Sequence, residues 1–428
     1  MATNLERARA EALDRADPLA GMRERFFLPE GALYLNGNSL GLLSRGAEES
    51  LARSLAEWRE LGVRGWLEAE EPWFYLAERT GAMAAPLVGA EPDEVVLTGT
   101  TTVNIHALVS TFFQPSGRRG KILADELDFP SDIYALRDQL RLAGRDPDAD
   151  LVLTPSRDGR TLDEDDIIER MTDEVALCFL PSALYRSGQL LDMERLTREA
   201  HRRGIPIGFD CAHSVGAVPH RFDDWGVDFA VWCSYKYLNG GPGASAFLYV
   251  NRRHFQRAPR ITGWFGCTKE RQFDMSLEFE PHPAAGQWQI SSPGILGSAS
   301  LEGALALTLE AGIDRIRAKS SALTSYLVEL ADARLTHAPY AFRVASPRAP
   351  ERRTGHIALE RDRDAQRISA ALRGRGVVSD FRPPDVIRFA PVALYNTFTE
   401  VWQTVQHLVE IIDGREFERY GAERAVVP

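Results

Sequence analysis

The stretch VWCSYKYLNGGPGASAFLY, residues 231–249, marks the turn around which the rest of the chain is organised. It begins as an apolar, strand-like run, places Lys236 where the strand should end, and then breaks into glycines. Only four of the 50 lysine and arginine residues are lysines, so a lysine is unusual here. A partly buried lysine can lose its proton and form a Schiff base with a carbonyl group, which arginine cannot do. A solvated lysine that happens to follow a strand would give the same pattern.

The composition of the 428-residue chain indicates a globular protein with a sizeable core, because 44% of its residues are hydrophobic and 26% are charged. A net charge of −11 argues against nucleic acid or an anionic membrane as a partner. No apolar run approaches the roughly 20 residues that span a bilayer, and the charged N-terminus does not resemble a secretory signal. The four cysteines lack CxxC spacing, which predicts reduced thiols, no metal site and a cytoplasmic location.

Short apolar runs alternate with helical stretches through the first 250 residues. Strands separated by helices of about 10–15 residues predict βαβ units and a mainly parallel α/β sheet with helices on both faces. Such a sheet binds its ligands at the carboxyl ends of the strands. Seven strands are predicted, at residues 94–97, 121–124, 151–153, 176–180, 205–210, 229–232 and 246–250.

An aspartate, Asp210, ends the strand that precedes the one leading to Lys236. In a parallel sheet both side chains emerge at the same edge, facing one crevice. A carboxylate there could hold a proton on a pyridine-type ring nitrogen and make the ring an electron sink. Asp210 could instead cap the following turn, and His213, three residues later, could be a buried core histidine.

Two further strand ends carry polar or aromatic side chains. Residues 98–104, TGTTTVN, offer hydroxyl groups and free backbone amides at a predicted helix start, which suits a phosphate group, although a plain N-cap explains one threonine. Phe129 could stack on a flat ring, although FPSD at 129–132 also fits an ordinary helix start. The chain lacks the glycine patterns of nucleotide-binding loops. Together the four strand ends predict a site for pyridoxal 5'-phosphate (PLP).

Six segments resemble the kynureninase family: LYLNGNSLGL at 33–42, FPSD at 129–132, GFDCAHSVGAV at 208–218, DWGVDFAVWCSYKYLNGGPG at 224–243, GWFG at 263–266 and IRFAPVALYN at 387–396. The resemblance implies the fold-type I PLP-dependent transferase-like α/β fold and a homodimer with active sites at the subunit interface. It implies a hydrolase that cleaves the Cβ–Cγ bond of L-kynurenine, or of its 3-hydroxy form, in tryptophan catabolism. The products would be anthranilate, or 3-hydroxyanthranilate, and L-alanine.

Residue roles follow from the resemblance position by position. Lys236 would be the Schiff-base lysine, and Tyr235 a phosphate contact that also donates a proton. Asp210 would hold the ring nitrogen with His213 beside it. The remaining cofactor contacts that the resemblance implies are Thr101, Thr102, Phe129, Ser131 and Asp132, together with Trp264 and Ser292 of the partner subunit. The substrate-binding residues would be Arg388, whose guanidinium suits the α-carboxylate, and Asn38 and Ser39.

The chain departs from the family pattern near the substrate ring. Family members often have asparagine at the position of Ser292, and some have a histidine near residues 62–63; both are absent. A less polar pocket is expected to favour kynurenine over its 3-hydroxy form. Pro181 stands where some members have a hydroxyl residue that contacts the phosphate, and Ser182 is the adjacent hydroxyl residue.

The alternative functions belong to other enzymes of this fold or to a catalytically silent binding protein. A cysteine desulfurase needs a nucleophilic cysteine on a mobile loop beyond the lysine, and only Cys267, directly after GWFG, follows Lys236. An aminotransferase needs a second carboxylate pocket. The intact lysine, aspartate and arginine argue against a silent protein.

The pattern of the chain changes after residue 300, where one long amphipathic helix over 300–331 is predicted. Three parts are expected. Residues 1–45 form an N-terminal arm and helix that contribute to the small domain and the active site, residues 46–300 form a large PLP-binding domain, and residues 301–428 form a small C-terminal α+β domain.

Overall fold

The computed structural model describes residues 2–421 of the chain. Seven of its strands lie where the apolar segments predict them, and six further short strands lie outside those segments, one near the N-terminus and five between residues 343 and 389. Within the described residues they are β1 (Leu33–Tyr34), β2 (Val95–Thr98), β3 (Lys121–Asp125), β4 (Leu151–Thr154), β5 (Val175–Pro181), β6 (Ile207–Asp210), β7 (Phe229–Cys233), β8 (Ala246–Val250), β9 (Arg343–Val344), β10 (Ile357–Glu360), β11 (Val377–Val378), β12 (Asp380–Arg382) and β13 (Val386–Phe389).

The helices alternate with the strands in the first two thirds of the chain and dominate its last third. They are α1 (Ala2–Arg15), α2 (Arg45–Leu61), α3 (Gly65–Glu68), α4 (Leu76–Val88), α5 (Thr101–Phe112), α6 (Pro130–Leu142), α7 (Pro147–Asp150), α8 (Glu164–Glu169), α9 (Met193–Arg202), α10 (Phe222–Trp225), α11 (Ile295–Ser298), α12 (Ser300–Ala311), α13 (Ile313–Arg334), α14 (Ala365–Gly374) and α15 (Phe398–Asp413).

The largest sheet has seven strands in the order β2-β8-β7-β6-β5-β3-β4. The five strands from β7 to β4 are parallel, and β8 runs antiparallel to both of its neighbours. All seven residues of β5 are buried, as expected for a strand with helices on both faces. The mainly parallel sheet is therefore confirmed, and each predicted strand begins and ends within two residues of the observed one.

The C-terminal part forms a second, antiparallel sheet of four strands in the order β12-β13-β10-β9. Side chains of α13, α14 and α15 pack with it in a separate hydrophobic core. In this sheet Asp380 of β12 lies directly opposite Arg388 of β13. Cross-strand partners point to the same face of an antiparallel pair, so their side chains meet.

The N-terminal segment packs against this C-terminal part. Strand β1 pairs in parallel with β11. The Asp14 carboxylate accepts hydrogen bonds from the backbone N–H groups of Phe398 and Thr399, at 2.6 and 3.0 Å, and so caps the N-terminus of α15. A buried ion pair joins Lys319 of α13 to Asp17 at 2.7 Å. These contacts bring the loop after β1 to the carboxyl edge of the large sheet.

The expectation of one continuous helix over residues 300–331 is wrong. Gly312 interrupts it with a φ of +78°, a conformation that glycine adopts without the steric cost paid by other residues. Two helices result, α12 and α13, and the first packs mainly on α2. Among the described residues no helix is both long and apolar enough to cross a membrane.

Candidate active site

A cavity of about 530 Å³ opens at the carboxyl edge of the large sheet. It lies where the C-terminal sheet and the loop after β1 approach that edge. The predicted site residues that line it are Asn38, Ser39, Thr101, Thr102, Phe129, Ser131, Asp132, Asp210, His213, Tyr235, Lys236 and Arg388. Side chains from both sheets and from the N-terminal segment therefore share one cavity, as the sequence predicts for the ends of neighbouring parallel strands.

Lys236 lies in the turn after β7, and its Nζ is 3.0 Å from His213 Nε2. Burial, followed by the nearby Lys236 charge, holds the pKa of His213 well below its usual range. His213 is therefore neutral at pH 7, and its Nε2 can accept a hydrogen bond from the ammonium group. The backbone of this turn is held by the loop after β1, because Gly41 N–H donates to the Tyr235 carbonyl oxygen at 2.8 Å.

Buried carboxyl groups line the cavity wall beside Lys236. Burial raises the pKa of Asp210, although the Lys236 charge opposes that rise. Burial and the neighbouring Asp210 charge raise the pKa of Asp132 well above its usual range. Oδ2 of Asp132 is buried without a hydrogen-bond partner among the described residues. A cation or protonated ring nitrogen placed here would remove an electrostatic cost that the protein now bears.

Helix α5 points its N-terminus into the cavity. Thr100 is the N-cap residue, and Thr101 and Thr102 form the first turn. Their backbone N–H groups have no partner within the helix, as in any first helical turn, and the helix dipole favours an anion there. A phosphate group fits this position. On another wall, the ring of Phe129 meets that of Tyr185 edge to face, with centroids 5.2 Å apart.

Arg388 forms the opposite corner of the cavity and is almost completely buried. Its guanidinium contacts the Asp380 carboxylate and donates to the Tyr185 carbonyl oxygen. Burial lowers the pKa of Arg388 to about 10, which leaves it charged at neutral pH, and contact with a carboxylate favours the charged form further. Asn38, close by, is buried, and neither of its amide atoms has a hydrogen-bond partner in the described part of the chain. These groups can take up a carboxylate and a second polar group of a ligand.

Relatives with high identity span nearly the whole chain. A kynureninase from Geobacillus thermodenitrificans is 53% identical over 98% of this chain and 97% of its own length. Kynureninases from Bacillus cereus and Shouchella clausii are 53% and 51% identical, over 97% and 98% of this chain and 96% and 97% of theirs. The chain belongs to the kynureninase family. The model of the kynureninase C-terminal domain also matches, at residues 316–408.

The fold is that of the fold-type I PLP-dependent enzymes. A cysteine desulfurase from Thermococcus onnurineus has a TM-score of 0.78 at 18% identity, covering 92% of this chain and 98% of its own. A C-DES mutant with glycine covalently linked to its PLP cofactor has the same TM-score at 17% identity, covering 91% and 99%. Identities this low show the shared fold alone. No cysteine lines the cavity within the part of the chain described here, and Cys267 lies elsewhere, beside Trp264.

Two residues predicted for the site lie outside the cavity of this single chain. Trp264 packs on Phe265 and Phe273 and is half exposed, and Ser292 is not among the lining residues. Both were predicted to act from a partner subunit. Ser182 does not line the cavity either, because its hydroxyl group bonds to the Asp210 carbonyl oxygen and to Ser214.

Three polar residues around Arg388 were missed from the sequence. Tyr185 and Arg382 line the cavity, and Asp380 lies behind it against both arginines. The segment SDFRPPDVIRF carries a signal for this pair. Asp380 and Arg382 are two residues apart, so on a strand they share one face. The register of β12 against β13 was needed to bring them to Arg388.

Proposed function

We propose that the protein is a PLP-dependent kynureninase, a hydrolase that cleaves the Cβ–Cγ bond of L-kynurenine to give anthranilate and L-alanine. The observation that carries the proposal is the 53% identity to curated kynureninases over nearly the whole chain. The cavity supports it, because Lys236, Asp210 and Arg388 all face one space. The reaction belongs to tryptophan catabolism, and 3-hydroxykynurenine is the alternative substrate.

The cavity fits the cofactor at three points. Asp210, with Asp132 beside it, would hold the protonated ring nitrogen, whose positive charge would favour the ionised carboxylates that burial disfavours. Thr101 and Thr102 at the start of α5 would hold the phosphate group. The exposed ring of Phe129 would stack on the pyridine ring.

The protein residues supply positioning and proton transfer. PLP, when bound, supplies an electron sink that makes bonds at the substrate α-carbon labile. Lys236 anchors the cofactor and moves the α-proton, with neutral His213 as its hydrogen-bond partner at 3.0 Å. Arg388 binds the α-carboxylate, while Asn38 and Ser39 contact the substrate.

Tyr235 completes the reaction as a proton donor. Water adds to the ketone carbonyl of the side chain, the Cβ–Cγ bond breaks, and the ring part leaves as anthranilate. Tyr235 then gives its phenolic proton to the carbon left behind, which yields L-alanine. The neighbouring Cys233 sulfur and burial raise the pKa of Tyr235, which keeps that proton in place at neutral pH.

We also propose a homodimer in which Trp264 and Ser292 of the partner subunit complete the site. Exposed apolar side chains support it, since Trp58, Val63 and Leu296 line an open groove beside Trp66. Trp66 lies 6.0 Å from Phe265, ring to ring, so this groove continues into the segment that carries Trp264. An apolar surface of this kind is typical of a subunit interface.

Three parts of the chain are proposed as structural units. Residues 46–300 form the PLP-binding domain, residues 301–428 the small domain, and residues 1–45 join the small domain and the site. Separate hydrophobic cores support a large and a small domain. The first core lies between Ala77 and Leu305, so Leu301 and Leu305 pack with the large domain, and the second lies mainly between Leu323 and Phe417. The outer limits, residues 1 and 428, lie outside the described residues. A cytoplasmic location is proposed from the four free cysteines.

An anthranilate fluorescence assay tests the function. The purified, PLP-loaded protein is expected to release anthranilate from L-kynurenine. Lys236→Ala is expected to lose both this activity and the visible absorbance that covalent attachment of the cofactor gives, because no other amine takes the place of Nζ. Asp362→Asn, a substitution of an exposed residue beside the second sheet, is the control, and it should retain both the activity and the absorbance. Sulfide release from cysteine, or amino-group transfer to a 2-oxo acid, without anthranilate release would reject the proposal.

A further inference from the structure

Asp380 is a buried acid that the reaction described above does not use. Its side chain is about 1% exposed, and it contacts Arg388 from the strand opposite. It also accepts hydrogen bonds from Arg382 Nε and Nη2, at 3.2 and 3.0 Å. The Ser39 hydroxyl donates to the same oxygen, Oδ2, at 3.1 Å. One carboxylate oxygen thus joins β12, β13 and the loop after β1.

The two arginines reach the cavity because of strand geometry. Asp380 and Arg382 are two residues apart on β12 and so point to one face of the sheet. Arg388 is the cross-strand partner of Asp380 and points to the same face. Both guanidinium groups line the cavity, whereas Asp380 lies behind them. Burial lowers the pKa of Arg382, while the side chain forms an ion pair with Asp380.

The charges in this corner leave room for one more anion. Among the described residues, both guanidinium groups form ion pairs only with the single carboxylate of Asp380, so the corner carries one uncompensated positive charge. Nε of Arg388 is buried without a partner among the described residues. A ligand carboxylate would supply the missing negative charge and an acceptor for that N–H group.

We propose that Asp380 is a positioning residue that holds Arg388 and Arg382 together as a two-arginine site for the α-carboxylate of an amino-acid ligand. This inference rests on the proposed function, in which the substrate is an α-amino acid. Without Asp380, the Arg388 side chain loses the contact that fixes its direction, and the two like charges repel each other. Binding of the carboxylate then requires ordering both side chains, which costs affinity.

The test compares a ligand with its carboxylate-free counterpart. L-Alanine and ethylamine differ by that one group, and their dissociation constants are measured with the PLP-loaded protein from the change in cofactor absorbance. Asp380→Asn is expected to weaken L-alanine binding about tenfold while ethylamine binding stays within about twofold. In steady-state assays the variant is expected to raise KM for L-kynurenine about tenfold and to change kcat less than about threefold.

Asp362→Asn is the matched control, since Asp362 forms an exposed ion pair with Arg343 of the same sheet. This variant should leave the affinities for both L-alanine and ethylamine unchanged. If Asp380→Asn fails to fold, Arg382→Gln decides, because it removes one guanidinium from a partly exposed position. The inference is overturned if either variant weakens the binding of L-alanine and of ethylamine equally, or weakens the binding of neither. Because L-alanine binding needs no cleavage, a wild-type protein that binds L-alanine selectively but releases no anthranilate would reject the proposed function alone.

Discussion

Asp125 is a buried carboxyl group whose ionisation affects the stability of the folded chain. It ends β3, its Oδ1 accepts a hydrogen bond from Leu127 N–H at 2.8 Å, and its Oδ2 is buried without a partner among the described residues. Burial raises the pKa of Asp125 to about 7. A raised pKa means that the folded state holds this proton to higher pH than the unfolded chain does. Ionisation of Asp125 therefore lowers stability as pH rises from the unfolded pKa, about 4, towards 7.

Asp125→Asn tests this at the level of one residue, because the amide keeps the oxygen acceptor for Leu127 N–H and cannot ionise. We expect the free energy of unfolding of the variant, relative to the wild type, to increase by about 2 kcal/mol between pH 5 and pH 7. Urea denaturation of the cofactor-free protein at several pH values measures this difference. Asp148→Asn, at an exposed carboxylate, should show a difference that does not vary over this range. If the difference in the free energy of unfolding for Asp125→Asn did not vary with pH, the raised pKa of Asp125 would be contradicted.

At the scale of elements, the loop after β1 and the turn after β7 hold each other in place. A Cβ atom on Gly41 would lie 2.4 Å from the Lys236 carbonyl oxygen and 2.8 Å from Asn239 Cα. Both are backbone atoms, so Gly41→Ala must displace the turn that carries Lys236. We expect the affinity for PLP to fall about tenfold or more, as measured by titrating the cofactor-free protein.

Gly21→Ala serves as the control for this prediction, because among the described residues no atom beyond Gly21 and its neighbours in the chain lies within 4 Å of the added Cβ position. Its affinity for PLP should match that of the wild type. Equal affinities for Gly41→Ala and the wild type would mean that the two loops do not constrain each other.

Some of the elements could be predicted from the sequence and others could not. Parallel strands were predictable because their apolar runs are continuous and their ends carry the polar side chains, as at Asp210. The break at Gly312 was missed because the hydrophobic period continues across it. Of the arginine site for a ligand carboxylate, only Arg388 was predicted, from the resemblance. Asp380 and Arg382 were not predicted, because their position depends on the register of a hairpin, which the sequence of short strands does not reveal. The roles of Trp264 and Ser292 depend on a second chain and stay predictions.

At the scale of the whole molecule, the proposed dimer should depend on the apolar groove formed by Trp58, Gly62, Val63, Trp66, Trp73, Ile295 and Leu296. Val63 is 80% exposed in the single chain. A charge placed there would be desolvated in a subunit interface without a partner, at a cost of several kcal/mol. We therefore expect Val63→Glu to weaken the dimer by at least about a hundredfold, as measured by sedimentation velocity over a range of protein concentrations.

Leu142→Glu provides the matched control, because Leu142 is equally exposed, at 78%, and lies at the end of α6 away from the groove. This variant should remain dimeric. If Trp264 and Ser292 of the partner subunit complete the site, the Val63→Glu monomer should also lose anthranilate release, and specific activity should recover as protein concentration rises, because association is driven by mass action. A fully active monomer would place every essential group within one chain, and a Val63→Glu protein that stays dimeric would move the interface to another face.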